Sequence, residues 1–244
     1  MGRWLGFLRS LVIYHNPASQ RAWRRFYRDL LSPGDFVFDV GAHMGTRARA
    51  MRRAGARVVA LEPQAPFAGF LRRTLPRDII LIEAAAGRSE AEAEMAVSSR
   101  HPTVSSLRTE FVEGAGTAHG FGHVKWDRRQ RVRMVTLDGL IALYGRPRYV
   151  KIDVEGFEVE VLGGLSHPVE IVSAEYLPAF PAMTHAVIDR LAELGAYRFN
   201  PVVGETGGFL WPDWRSAEEA KAWLSTLAPD ARSGDLFARL DMPG

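Results

Sequence analysis

A chain of 244 residues, 47% hydrophobic and 24% charged, has the composition of a globular protein with a full core, and its lack of cysteine excludes a disulfide framework and any thiolate-bound metal or cluster. No apolar run approaches the ~18 residues of a membrane span, and no small-residue cleavage site follows the apolar stretch Trp4 to Tyr14, so the expected location is the cytoplasm. The formal charge of +3 is unevenly spread: residues 1–35 hold six arginines against two aspartates, a surplus of +4 that leaves the remainder at −1.

Residues 4–14 and 18–31 read as two helices split at Asn16-Pro17, and together they form a basic helical arm over residues 1–34. The second helix carries Trp23, Phe26, Tyr27, Leu30 and Leu31 at helical spacing, a stripe for core contact that can also close over a ligand. The arginines on the arm read first as a solvated face and second as a polyanion-binding surface. Ser32-Pro-Gly-Asp35 then turns the chain into residues 35–244, expected to form a single globular unit.

Strand 36–40, helix 45–54, strand 57–61, helix 65–74 and strand 79–83 alternate as in one half of a parallel, doubly wound sheet. Ligands collect at the carboxyl ends of such strands, where Asp39, Glu62 and Glu83 stand. The first strand runs into Asp39-x-Gly41-x-x-x-Gly45. This is not the G-x-G-x-x-G spacing that cradles a pyrophosphate, and a carboxylate beside the turn repels phosphate. It suits a cationic ligand with a free amino group, such as S-adenosylmethionine. Glu62, about 20 residues beyond the glycines, can take both hydroxyls of a ribose. A plain strand-to-helix turn with no ligand is the alternative.

The weakly alternating residues 90–97 predict an antiparallel strand, 98–122 a long loop, 131–136 a half-exposed strand and 137–144 a short helix. Arg148 to Gly156 is the fourth core strand, expected beside the first across the topological switch point, so Asp153 and Glu155 face the cofactor turn. Carboxylates there can position a hydroxyl, accept its proton or hold a divalent metal. Alternatively, Asp153 caps the next helix and Glu155 pairs with its N-terminus. Strand 169–175, helix 182–194, paired strands 197–203 and 206–211, a helix 216–227 and a short tail 234–240 complete the chain.

The segments Phe38-Asp-Val-Gly-Ala-His-Met-Gly45, Val59-Ala-Leu-Glu62-Pro63, Val135-Thr-Leu-Asp138 and, above all, Val150-Lys-Ile-Asp-Val-Glu-Gly-Phe-Glu158 resemble the FkbM family of S-adenosylmethionine-dependent methyltransferases, and Ser105-Ser106-Leu107 resembles its common serine pair. The resemblance covers roughly residues 35 to 176. It implies a Rossmann-like α/β fold, doubly wound, with a mostly parallel seven-stranded sheet whose last strand is antiparallel. It implies O-methylation of a sugar, glycan or secondary metabolite. By resemblance Gly41 and Gly45 lie at the methionine portion, Glu62 at the ribose, and Glu83 and Ala84 at the adenine, with Asp39, Ala42, His43 and Pro63 also among the cofactor-binding residues. Asp153 lies close to the methyl group. Many members carry Asn where His43 stands.

A neutral alcohol is a poor nucleophile, so a base is useful, and the candidates are Asp153, then Glu175, then His43. No metal ligand is assigned, since the histidines lack metalloprotein spacing; divalent-metal dependence stays open. Trp211, Trp214 and Tyr176 could stack on a sugar or simply pack. The partner is then a small-molecule or glycan acceptor. An RNA methyltransferase using the basic arm is the second reading, disfavoured by the near-neutral body and the missing N-P-P-Y-like motif. A non-catalytic cofactor-binding homologue and a nicotinamide oxidoreductase follow.

Overall fold

In the computed structural model, which describes residues 17–98 and 127–241, the apolar run Phe36–Val40 is strand β1 and lies within a seven-stranded sheet. Its neighbours are β2 (Arg57–Leu61) and β7 (Tyr149–Ile152), both parallel to it, with Asp39 in register with Ala60 on one side and Lys151 on the other. With β3 (Ile80–Ile82), β8 (Ile171–Tyr176), β9 (Tyr197–Val203) and β10 (Gly234–Leu240), the order is β3-β2-β1-β7-β8-β10-β9. The chain doubles back between β1 and β7, so the carboxyl ends of these two strands open a crevice. Phe38 and Val40 on one face and Val37 on the other are buried alike, as a strand covered on both faces requires.

Helices α1 (Pro17–Leu30), α2 (Thr46–Arg53) and α3 (Ala65–Thr74) cover one face. Helices α4 (Leu137–Tyr144), α5 (Glu158–Gly163), α6 (Pro181–Leu194) and α7 (Ala217–Thr226) cover the other. The stripe on α1 packs into the body: Trp23, Phe26 and Tyr27 are buried, and Phe26 meets Phe209 at 5.0 Å and Phe237 at 5.1 Å between centroids. The arginines Arg21, Arg24, Arg25 and Arg28 of the same helix are exposed. The predicted helix at 4–14 lies outside the described residues, as do Ser105 and Ser106 and nearly all of the 98–122 loop.

The expected antiparallel strand is present as β5 (Ala91–Val97), but it belongs to a second, three-stranded sheet, ordered β4-β6-β5, with β4 (Ala85–Ala86) and β6 (Arg128–Val135). Glu92 and Glu94 stand opposite Arg133 and Arg131, so opposite charges pair across its exposed face.

Two expectations at the C-terminal end are overturned. Residues 206–211 form no strand; Gly207 takes a left-handed φ of 60°, and a Cβ on it would lie 2.7 Å from the backbone of Ala22, so the segment is a turn against α1. The true partner of β9 is 234–240, read as a tail but inserted as β10 between β8 and β9, antiparallel to both. Its Leu236, Phe237 and Ala238 are buried on both faces, the mark of an interior strand.

Candidate active site

The turn after β1 is shaped by contact with the end of β7. Gly41 has φ +85°, and a Cβ on it would lie 1.8 Å from the carbonyl oxygen of Asp153. Only glycine lets the two strand ends touch in this way. His43 follows with φ 48°, held by its N–H donating to Glu62 Oε2 at 2.8 Å and by its ring lying 4.0 Å from that of Phe67. Gly45, also left-handed at φ 69°, starts α2.

Glu62 stands at the end of β2, 3% exposed. Its Oε2 accepts from His43 N–H and its Oε1 from Gln64 N–H, both at 2.8 Å. Two backbone donors therefore lock the carboxylate plane, while each oxygen keeps a lone pair free to accept again. Burial pushes its pKa up to about 7, against the pull of these two donors.

A cavity of about 240 Å³ opens at this crevice. Of the residues expected at a site, Gly41, Ala42, His43, Glu62, Pro63, Ala84, Asp153 and Glu175 line it. Asp39, Gly45 and Glu83 do not. Asp39 is fully buried beneath the turn, where the backbone N–H of Ala48 and the charge of Lys151 face its carboxylate. Burial raises its pKa to about 6, opposed by Lys151. Glu83 is exposed and carries a two-point ion pair with Arg72, at 2.6 and 2.8 Å, on the outside of the sheet edge. The adenine-bordering role that the resemblance implies for Glu83 therefore finds no support in its position.

On the β7 side, Lys151 is 2% exposed and donates Nζ to Asp153 Oδ2 at 2.7 Å. Burial works against the lysine charge, but Asp153, Asp235 and Asp39 outweigh it and hold the ammonium protonated. Burial likewise opposes ionisation of Asp153, yet the charge and hydrogen bond of Lys151 overcome it and keep that carboxyl below its ordinary range. Glu155 and Glu175 are driven the other way, well above the usual range, by burial first and then by neighbouring carboxylates. Asp153, Glu155 and Glu175 each bring one oxygen within 4.8 Å of the others. Such a set can grip a hard divalent cation or a ligand's donor groups. Burial lowers the pKa of His43 to about 4, so its imidazole is neutral.

Neither Asp153 nor Glu155 caps the helix that follows. Its N-cap, Phe157, offers no side-chain cap; Glu158 at the start of the helix instead accepts the N–H groups of Val154 and Gly156 at 3.2 Å each and so holds the turn that follows Asp153. Asp138, which closes one of the segments that carry the resemblance, accepts from Ser166 N–H at 3.0 Å and Ser166 Oγ at 2.5 Å in a later loop. Tyr176 and Trp211 are buried against Trp223, and Trp214 packs on Phe209; none of the three lines the cavity.

Sequence reasoning missed Arg47, Gln64, Glu205 and Asp235, which also line the cavity. Arg47 lies 3.6 Å over the Trp23 ring and donates Nη2 to Glu205 at 2.9 and 3.0 Å. Glu205 also accepts from Ser19 Oγ and Trp23 Nε1, each at 2.7 Å. Helix α1 and the loop after β9 are thus tied together at the rim.

No curated protein matches the chain. Among solved structures it is similar to precorrin-6y C5,15-methyltransferase from Geobacter metallireducens (12% identity, TM-score 0.47, 89% of this chain and 87% of that one). It is also similar to magnesium protoporphyrin IX methyltransferase from Synechocystis with bound S-adenosylmethionine (9%, 0.47, 94% and 81%) and to an O-methyltransferase from Bacillus cereus (10%, 0.43, 91% and 79%). The family described as the methyltransferase FkbM domain matches residues 39–199, from the carboxylate that ends β1 to the middle of β9. The chain belongs to the FkbM methyltransferase family and is an S-adenosylmethionine-dependent methyltransferase.

Proposed function

We propose that this methyltransferase acts on a hydroxyl of a small-molecule or glycan acceptor, with Asp153 as the general base. The observation that carries the reading is the pairing of Lys151 with Asp153: it keeps an ionised carboxylate on the wall of the same cavity that Glu62 lines.

The residues present fit the cofactor. The locked carboxylate of Glu62 retains acceptor capacity for two vicinal hydroxyls. Asp39, buried beneath the turn and behind the cavity wall, adds negative charge to the site, which suits a cationic amino group. Bound there, S-adenosylmethionine supplies a methyl group already activated by the sulfonium, so the protein's task is alignment and proton removal. Asp153 accepts the acceptor's hydroxyl proton. Glu175, shifted toward its protonated form, donates a hydrogen bond that orients the acceptor. His43, neutral and with its ring packed against Phe67, shapes the wall.

The test is to offer methyl-labelled S-adenosylmethionine with fractionated lysate. Label is expected among small molecules or glycans, and label confined to RNA would refute the acceptor class. Asp153→Asn should cut turnover about 100-fold or more while S-adenosylhomocysteine affinity by calorimetry stays within about threefold. Near-normal turnover in that variant would remove Asp153 from the mechanism.

A further inference from the structure

Arg47 lines the same cavity as the Gly41–His43 turn, and it is built in rather than draped over the surface. Its guanidinium is sandwiched by position: the Trp23 ring lies 3.6 Å away, and both oxygens of Glu205 hold Nη2. These contacts fix the plane of the fork without using it up. Nε and Nη1 make no hydrogen bond to a described residue. Nε and Nη1 point to different sides of the planar guanidinium, so each can give a carboxylate one charge-assisted hydrogen bond, and the fixed seat on the cavity wall suits that role.

We propose that Arg47 anchors the α-carboxylate at the amino-acid end of the cofactor, an inference that rests on this cavity binding S-adenosylmethionine. That end is a zwitterion, so its site must offer both signs. The carboxylates around it are plentiful: Asp39, Asp153, Asp235 and Glu205. They suit an ammonium and repel a carboxylate. The other cation on the cavity wall, Lys151, is bonded to Asp153 at 2.7 Å and faced by Asp39 and Asp235, so its charge is already matched. Arg47, in the first turn of α2, hydrogen-bonds one carboxylate, Glu205, and keeps its Nε and Nη1 donors, whereas Lys151 is ringed by three carboxylates.

The rival account makes Arg47 a latch that only ties α1 to the loop after β9. Calorimetry with two ligands separates them: S-adenosylhomocysteine carries the amino-acid end, and 5′-methylthioadenosine shares the nucleoside thioether but lacks it. Arg47→Met should weaken S-adenosylhomocysteine about 10- to 100-fold, the range for loss of a hydrogen bond to a charged group, and leave methylthioadenosine within twofold. Equal losses for both ligands, or no loss for either, would overturn the assignment. If Arg47→Met does not fold, Arg47→Lys replaces it, with a several-fold loss expected for S-adenosylhomocysteine alone. Wild-type protein that binds neither ligand would overturn the cofactor reading itself, a result distinct from the selective loss that Arg47 predicts.

Discussion

Lys151 reaches into a pocket of carboxylates with 3% of its side chain exposed, and Asp39, Asp153 and Asp235 all lean on its charge. Removing the ammonium leaves buried anions without compensation, which costs about 3 kcal/mol. Lys151→Met should therefore lower unfolding free energy in urea by about that amount, and adding Asp153→Asn should restore part of it. Strictly additive losses would mean that the pair is not coupled. At this scale the sequence was informative where a functional side chain ends an apolar run. Asp39, Glu62 and Asp153 all do so, and a strand's end is where a crevice forms. Glu83 also ends a run, but Arg72 on α3 draws it outward. Arg47, Glu205 and Asp235 come from a helix, a loop and a strand far apart in the chain, and only the folded contacts bring them to one cavity.

Among the elements, those with strong periodicity or clean boundaries were legible. Strands at 36–40 and 57–61 and the helix at 65–74 match the sequence reading residue for residue, since Gly and Pro punctuate each one. β10 was not, because a short segment with a charge at either end resembles an exposed tail. What makes it a strand is its slot between β8 and β9. Phe237 fills that slot, fully buried, 5.8 Å from Tyr149 and 5.4 Å from Phe209 between ring centroids. Phe237→Ala should cost about 3–5 kcal/mol of stability, read by urea unfolding. A loss under about 1 kcal/mol would show that α1 collapses readily into the void.

For the whole molecule, buried acids set the pH response. In the folded chain Asp39 titrates at about 6 and Glu62 and Glu158 at about 7, each raised by burial from the ordinary carboxylate range. Raised acid pKa values mean stability that is fully present below the ordinary range and is lost as pH climbs through 6 to 7. His43, lowered to about 4, acts oppositely: its contribution is present above its ordinary 6.5 and is lost as pH falls toward 4. Between pH 8 and 6 the acids dominate, so the cofactor-free protein should be more stable at pH 6 by on the order of 2 kcal/mol. Thermal unfolding that is flat, or that rises toward pH 8, would show these carboxylates to be solvated.

The insertion of β10 has a bearing on how the chain is made. On the ribosome, β8 and β9 emerge before the strand that must separate them, and Phe26 waits near the start for a ring at position 237. Until then the edges of two strands and an aromatic patch on α1 stand open to other nascent chains, so this methyltransferase should lean on chaperones more than its length suggests.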